Sequence, residues 1–302
     1  MFDDSRGGCA SLQLVGNFTN FLGSTAHGLT SIPFASIFPL SFQFLPNTSL
    51  SSCEDLRDVA LGVNIIVTAI LFLIIRPRAI ILFWSLVCIG FWHITLYSQP
   101  RDDPPPIDLA FGTFLPTLFV AYGIWRCSFR FVLPAFGKAP IERAVWYIAP
   151  FWVGVMLNVI GRNIPIDRLV ASDIQNTPGA LTAVIVIAVI VLVIVLNQIR
   201  VIRKTGWLPY YVGWYALAGI VMLILALLPG LQFRFHHYIA ALLLLPGTGF
   251  PTRLSAIYQS FLLGMFLNGV AAYGFDPIVQ TFAAVSSTLH STHVKWDCTN
   301  IK

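Results

Sequence analysis

Residues 180–196 read ALTAVIVIAVIVLVIVL, 17 positions without a charge or a side-chain amide. In water such a β-branched run would favour a strand. In a bilayer a lone strand leaves its N–H and C=O groups unpaired, so the run is predicted to be a helix crossing lipid. No face of it carries a strongly polar side chain, which places it at the periphery of a bundle, against lipid.

The rest of the chain has the same character. Its 302 residues are 57% hydrophobic and only 10% charged, with a mean hydropathy of +0.78. A soluble chain is about 25% charged, so a cytosolic enzyme, a disordered tail and a coiled coil are excluded. The predicted fold is an all-α polytopic membrane helix bundle. A hydrocarbon core about 30 Å thick needs roughly 17–25 apolar residues per helix. Six stretches meet that: Val59–Ile75, Ala79–Tyr97, Leu109–Trp125, Ala144–Ile160, Ala180–Leu196 and Tyr210–Leu228. Leu254–Gly274 forms the final span. Leu231–Leu245, bracketed by Pro229-Gly230 and Pro246-Gly247, is either a short seventh span or a re-entrant half-helix. About eight crossings are predicted, with seven as the alternative. Residues 59–276 then form the membrane domain, preceded by an outer segment, 1–58, and followed by a polar tail, 277–302.

Charge sets the orientation. The loops after spans one, three and five hold nine cations (Arg76, Arg78, Arg126, Arg130, Lys138, Arg143, Arg200, Arg203, Lys204) against one acid, Glu142. The N-terminal region and the loops after spans two, four and six hold ten of the 13 acids and six cations. The positive-inside rule places the first set in the cytosol and the N-terminus in the lumen or outside the cell. This dispersed charge suits membrane topology better than nucleic acid, and no nucleic-acid partner is expected. Two glycosylation sequons, Asn17-Phe-Thr and Asn47-Thr-Ser, fall in the segment that charge alone assigns to the outside. The start, MFDDSRGGCASLQL, lacks the basic region and apolar core of a signal peptide. Either span one inserts as a reverse anchor, with Glu54, Asp55 and Asp58 before it and Arg76 and Arg78 after it, or the natural N-terminus with its signal peptide lies outside this sequence.

Within the outer segment, Phe38-Pro-Leu-Ser-Phe-Gln-Phe44 alternates with the period of a half-buried strand, so a short β-containing remnant is expected there. Cys9 and Cys53 both lie on the oxidising side. They form either a disulfide or two free thiols.

Longer polar-bearing stretches carry a resemblance. GSTAHGLTSIPF (23–34), CIGFWHITLYSQP (88–100), APIERAVWY (139–147), NQIRVIRKTGWLPYY (197–211), RFHHYIAALLLLPGT (234–248) and PTRLSAIYQSFLLGMFLNGVAAYGFD (251–276) resemble the fungal LCCL-domain membrane proteins. The resemblance covers roughly residues 9–280. It implies a lumenal or extracellular LCCL module, a mixed α and β fold binding carbohydrate or lipid, ahead of a multi-span domain. Only the last part of such a module is present, and residues 281–302 match nothing in the pattern.

Polar residues inside a membrane are costly and are functional candidates by default. His93 lies in the second span, and Gln259 and Asn268 lie in the last. At the outer face an eight-span arrangement gathers Asp108, Arg234, His236, His237 and Asp276. Histidines beside carboxylates can hold a metal or pass protons. The weightier reading is structural, with Arg234 reaching lipid headgroups. No metal site, catalytic residue or cofactor is assigned, and no HExxH, GxSxG, P-loop or GxGxxG motif is present. Small residues recur every fourth position in the last span (Ala256, Ser260, Gly264, Asn268, Ala272) and in the third (Thr113, Thr117, Ala121). They are expected to serve close helix packing.

Three functions follow in order: a membrane-anchored recognition protein for glycan or lipid, a transporter or channel with a path between spans three, seven and eight, and an intramembrane metal-dependent enzyme. The enzyme is the last of the three expectations, and the question of catalysis stays open with the balance toward none. Its partners are expected to be the bilayer and a glycan or lipid ligand at the outer segment.

Overall fold

The computed structural model describes residues 57–99, 107–161, 179–228 and 236–276, together with the backbone of short paired segments within 12–44, 231–233 and 279–281. Asn17, Asn47, Cys9, Cys53 and Arg234 lie outside the described residues, as does most of the tail 277–302. The chain divides into two units, Met1–Asp58 and Val59–Lys302. In the first, Leu12–Val15 pairs antiparallel with Ser41–Phe44, Leu12 opposite Phe44 and Val15 opposite Ser41. Two shorter pairings, Asn20–Phe21 with Phe34–Ala35 and Thr25–Ala26 with Leu29–Thr30, nest inside that hairpin in sequence.

The second unit is a helical bundle. Its helices are α1 (Arg57–Ile75), α2 (Ala79–Ser98), α3 (Ile107–Phe136), α4 (Pro140–Val155), α5 (Ala180–Lys204), α6 (Leu208–Ala226), α7 (His237–Thr248) and α8 (Arg253–Tyr273). Six of them, all but α4 and α7, are long and apolar enough to cross a membrane, which fits a membrane protein. Helix boundaries follow local chemistry. Pro140 opens α4 and Pro209 stands in the first turn of α6, where a missing N–H costs nothing. Thr252 caps α8 by accepting from the Ser255 N–H. At the end of α1, Arg76 turns left-handed (φ 50°), and its N–H returns to the Leu71 carbonyl at 2.9 Å. The buried Arg143 guanidinium donates to the nearby Phe72 carbonyl at 3.3 Å, a cation at a helix C-terminus.

The core is α8 surrounded by α2, α4 and α7. Aromatic rings fill the space between α2 and α3, Phe83 against Phe129 (centroids 4.8 Å apart) and Phe91 against Phe114 (4.9 Å). By contrast α5 and α6 are almost wholly exposed. For α5 the exposure agrees with the peripheral position its apolar run predicts, and α6 shares it.

The segment 231–245 is not one helix. Leu231–Phe233 is extended and pairs antiparallel with Val279–Thr281, and helix begins only at His237. The Pro229-Gly230 break and the alternating Leu-Gln-Phe sequence explain the difference. α7 runs beside α8 toward the opposite end. Near its start, the Tyr238 hydroxyl donates to the Asp276 carbonyl at 2.6 Å. At its finish, Thr248 meets Ser128 of α3.

Candidate functional site

The most polar part of the bundle lies along α8. Pro150 interrupts α4 and has no N–H for the carbonyl of Trp146, four residues earlier. The Ser260 hydroxyl of α8 reaches that carbonyl at 3.0 Å. Two turns further along α8, Asn268 Nδ2 donates to the Val155 carbonyl at 2.7 Å, where α4 ends. Between them Gly264 sits against Gly154. A Cβ on either glycine would collide with backbone of the other helix, the Phe151 carbonyl oxygen for Gly264 and the Phe261 carbonyl oxygen for Gly154. The backbones therefore touch, as glycine permits in membrane helix pairs. Ala256, Ser260, Gly264, Asn268 and Ala272 are all buried, so the repeating small face of α8 is consumed by packing. In α3 the Thr113 and Thr117 hydroxyls turn back to carbonyls of their own helix, Leu109 and Thr113.

Next to this contact runs a directional chain of buried hydrogen bonds. Tyr147 donates to Gln259 Oε1 (2.8 Å), Gln259 Nε2 to Ser128 Oγ (2.5 Å) and Thr248 to the Leu245 carbonyl (2.7 Å). The Ser128 proton is thereby left for Thr248 Oγ1, 3.0 Å away. The 3-10 turn Leu245–Thr248 that finishes α7 is gripped at three successive residues, 246–248. The Tyr211 hydroxyl of α6 donates to the Pro246 carbonyl at 2.9 Å. Gln198 of α5 donates to the Gly247 carbonyl at 2.8 Å. Ser128 of α3 holds Thr248. Gly247 lies close to Tyr215 of α6, whose hydroxyl would have to shift to admit a Cβ, 2.6 Å away.

Ser128 belongs to a π-helical turn, Trp125–Phe129. The turn points the adjacent pair Ser128 and Phe129 inward and leaves Arg126 and Arg130 exposed. Single π turns inside longer helices recur at functional sites. A cleft of about 730 Å³ lies here, between this turn and the start of α6.

The other intramembrane residue singled out from the sequence, His93, is buried in α2. Asn64 of α1 contacts its Nδ1 at 3.0 Å, and Trp152 of α4 stands edge-on to its ring at 5.2 Å. Trp152 Nε1 in turn donates to Thr68 of α1 at 3.2 Å. This group fastens α1, which is otherwise little buried.

At the opposite end, the His236 ring stacks on Tyr238 (centroids 5.8 Å apart), and Asp276 takes part through its backbone carbonyl. His237 is exposed in the first turn of α7, and Asp108 is exposed in the first turn of α3. Among the described residues no three His, Cys, Asp or Glu side chains come together to hold a metal. Sequence reading picked out Gln259 but missed its partners Tyr147 and Ser128, the Thr248 that Ser128 meets, and Gln198. Each is a lone polar residue in its own segment, and no local pattern announces the partner it finds on another helix.

No family model matches the chain, and no solved structure matches it. It is 30% identical over 292 residues to the uncharacterised protein YIL067C of Saccharomyces cerevisiae. That match takes in 92% of this chain and 42% of the yeast protein, so the chain spans less than half the length of its relative.

Proposed function

We propose that this chain is a multi-pass membrane anchor for LCCL-type recognition of a glycan or lipid, with its N-terminal segment in the lumen or outside the cell. The observation that carries this reading is the use of α8. The middle of its small, polar face packs on α4, with Ser260 and Asn268 Nδ2 reaching α4 carbonyls and Gly264 in backbone contact. A transport path along the same face would have to break those contacts. Eight crossings are part of the proposal. Six long helices, α4 with its continuation Leu157–Gly161, and α7 linking the Asp276 end of α8 to Ser128 all support that number. The long polar-bearing motifs that resemble the fungal LCCL proteins support the recognition role.

Two experiments test it. Glycan and lipid arrays probed with the full chain, and with a chain lacking residues 1–56, should give binding that disappears on deletion. Binding that survives the deletion overturns the recognition role. Glycosylation mapping in intact microsomes should find Asn17 and Asn47 modified, and unmodified sequons overturn the orientation.

A further inference from the structure

Arg126 and Arg130 lie four residues apart on α3, on either side of the inward-facing Ser128 and Phe129. Both are exposed, and neither has a carboxylate partner among the described residues. Glu142, the one acid the loop sequences place at this end, is already occupied by Arg253. Arg253 Nε and Nη2 reach its two oxygens at 3.2 and 3.1 Å. The two arginines line the cleft of about 730 Å³, which faces Thr205, Trp207, Tyr210 and Trp214 at the start of α6. Arg130 lies 4.4 Å from the centroid of the Phe131 ring, which steadies the guanidinium without neutralising it.

We propose that this cleft binds the phosphate headgroup of an anionic phospholipid. Guanidinium groups present planar forks of donors that match phosphate oxygens in pairs. Trp207, Tyr210 and Trp214 are amphipathic rings of the kind that sit at headgroup depth. From there the exposed apolar surface of α6, with Leu217 and Val221, continues along the helix and offers a track for an acyl chain. A soluble phosphate would use the arginines and leave that track empty, so lipid is the source the shape favours. Basic clefts between membrane helices are known to retain anionic headgroups. The proposal holds for either orientation of the chain and does not depend on the outer segment.

The test is native mass spectrometry of the full chain, purified in detergent and offered phosphatidic acid, phosphatidylinositol 4-phosphate and phosphatidylcholine at equal mole fractions. The unmodified protein should retain the two anionic lipids over phosphatidylcholine. Arg126→Gln/Arg130→Gln should lower that retention by about tenfold or more, the effect expected of two basic contacts near a membrane surface. Arg78→Gln/Lys138→Gln, which removes two exposed charges outside the cleft, should leave it unchanged. Equal losses in the two double variants overturn the site. Displacement of the lipid by millimolar inorganic phosphate or glycerol 3-phosphate overturns the lipid assignment in favour of a soluble anion. If the cleft variant does not fold, the unmodified protein still decides the matter, because no preference over phosphatidylcholine overturns the proposal.

Discussion

The Ser260 hydroxyl lies 3.0 Å from the Trp146 carbonyl, 114 positions earlier in the chain, and 3.0 Å from the Ile257 carbonyl of its own helix, so the two acceptors share its one hydrogen. The Trp146 carbonyl is free only because Pro150 cannot close the helical turn. The pair of defects, a proline in one helix and a serine in another, therefore forms one interaction, and its two halves can be separated. Ser260→Ala should destabilise the protein by about 0.6–1.7 kcal/mol, the range for hydrogen bonds between membrane helices. In a Pro150→Ala background the restored N–H serves Trp146, and the same serine change should cost much less. A double-mutant cycle on denaturant unfolding in micelles reads the difference, and additive effects would refute the coupling.

Gly264 and Gly154 test the backbone contact. Gly264→Ala places a Cβ against the Phe151 carbonyl and should cost about 1–3 kcal/mol, as overpacking does. Gly219→Ala in α6 meets nothing within 4 Å and should leave stability unchanged or slightly higher. Comparable losses from the two substitutions would show that glycine itself, rather than the helix contact, sets the cost.

Gln259 holds Tyr147 on one side and Ser128 on the other. Gln259→Ala should cost more than Tyr147→Phe, because it strands the Tyr147 hydroxyl and also removes the donor to Ser128, where the tyrosine change strands only Gln259 Oε1. Each stranded group costs about 1–3 kcal/mol. Thermal unfolding of both variants decides the order.

Asn64 and His93 fasten α1 to the bundle. Asn64→Leu should raise amide hydrogen exchange in α1 while exchange in α8 stays slow, because the effect is local release. Faster exchange throughout the bundle would show instead that α1 holds the core together.

Much of this fold is legible in the sequence, for a physical reason. Bilayer thickness fixes helix length, so apolar runs such as 180–196 announce themselves, and Pro140 and Pro209 mark where helices start. The close-packing face of α8 is equally readable, because small residues every fourth position fall on one side. Its partner is not. Nothing local in α4 says that Gly154 will face Gly264, and the need for Ser260 emerges only once Trp146 is seen to lack an N–H. The end of α7, residues 246–248, is opaque for the same reason, since its three grips come from Ser128, Gln198 and Tyr211 on three other helices. The apolar content of segment 231–245 resembles helix throughout, whereas Leu231–Phe233 pairs with Val279–Thr281, a distant partner that no local pattern announces.

The bond from Ser260 to Trp146 also has a temporal side. A ribosome adding about 5–20 residues per second takes on the order of 6–23 seconds to travel from Trp146 to Ser260. For that interval α4 sits in the translocation channel or the surrounding lipid with a bare oxygen at Trp146 and another at Val155. Biogenesis therefore leaves α4 half-made until α8 arrives, and a nascent chain halted before residue 253 should be recognised by membrane quality control as incomplete.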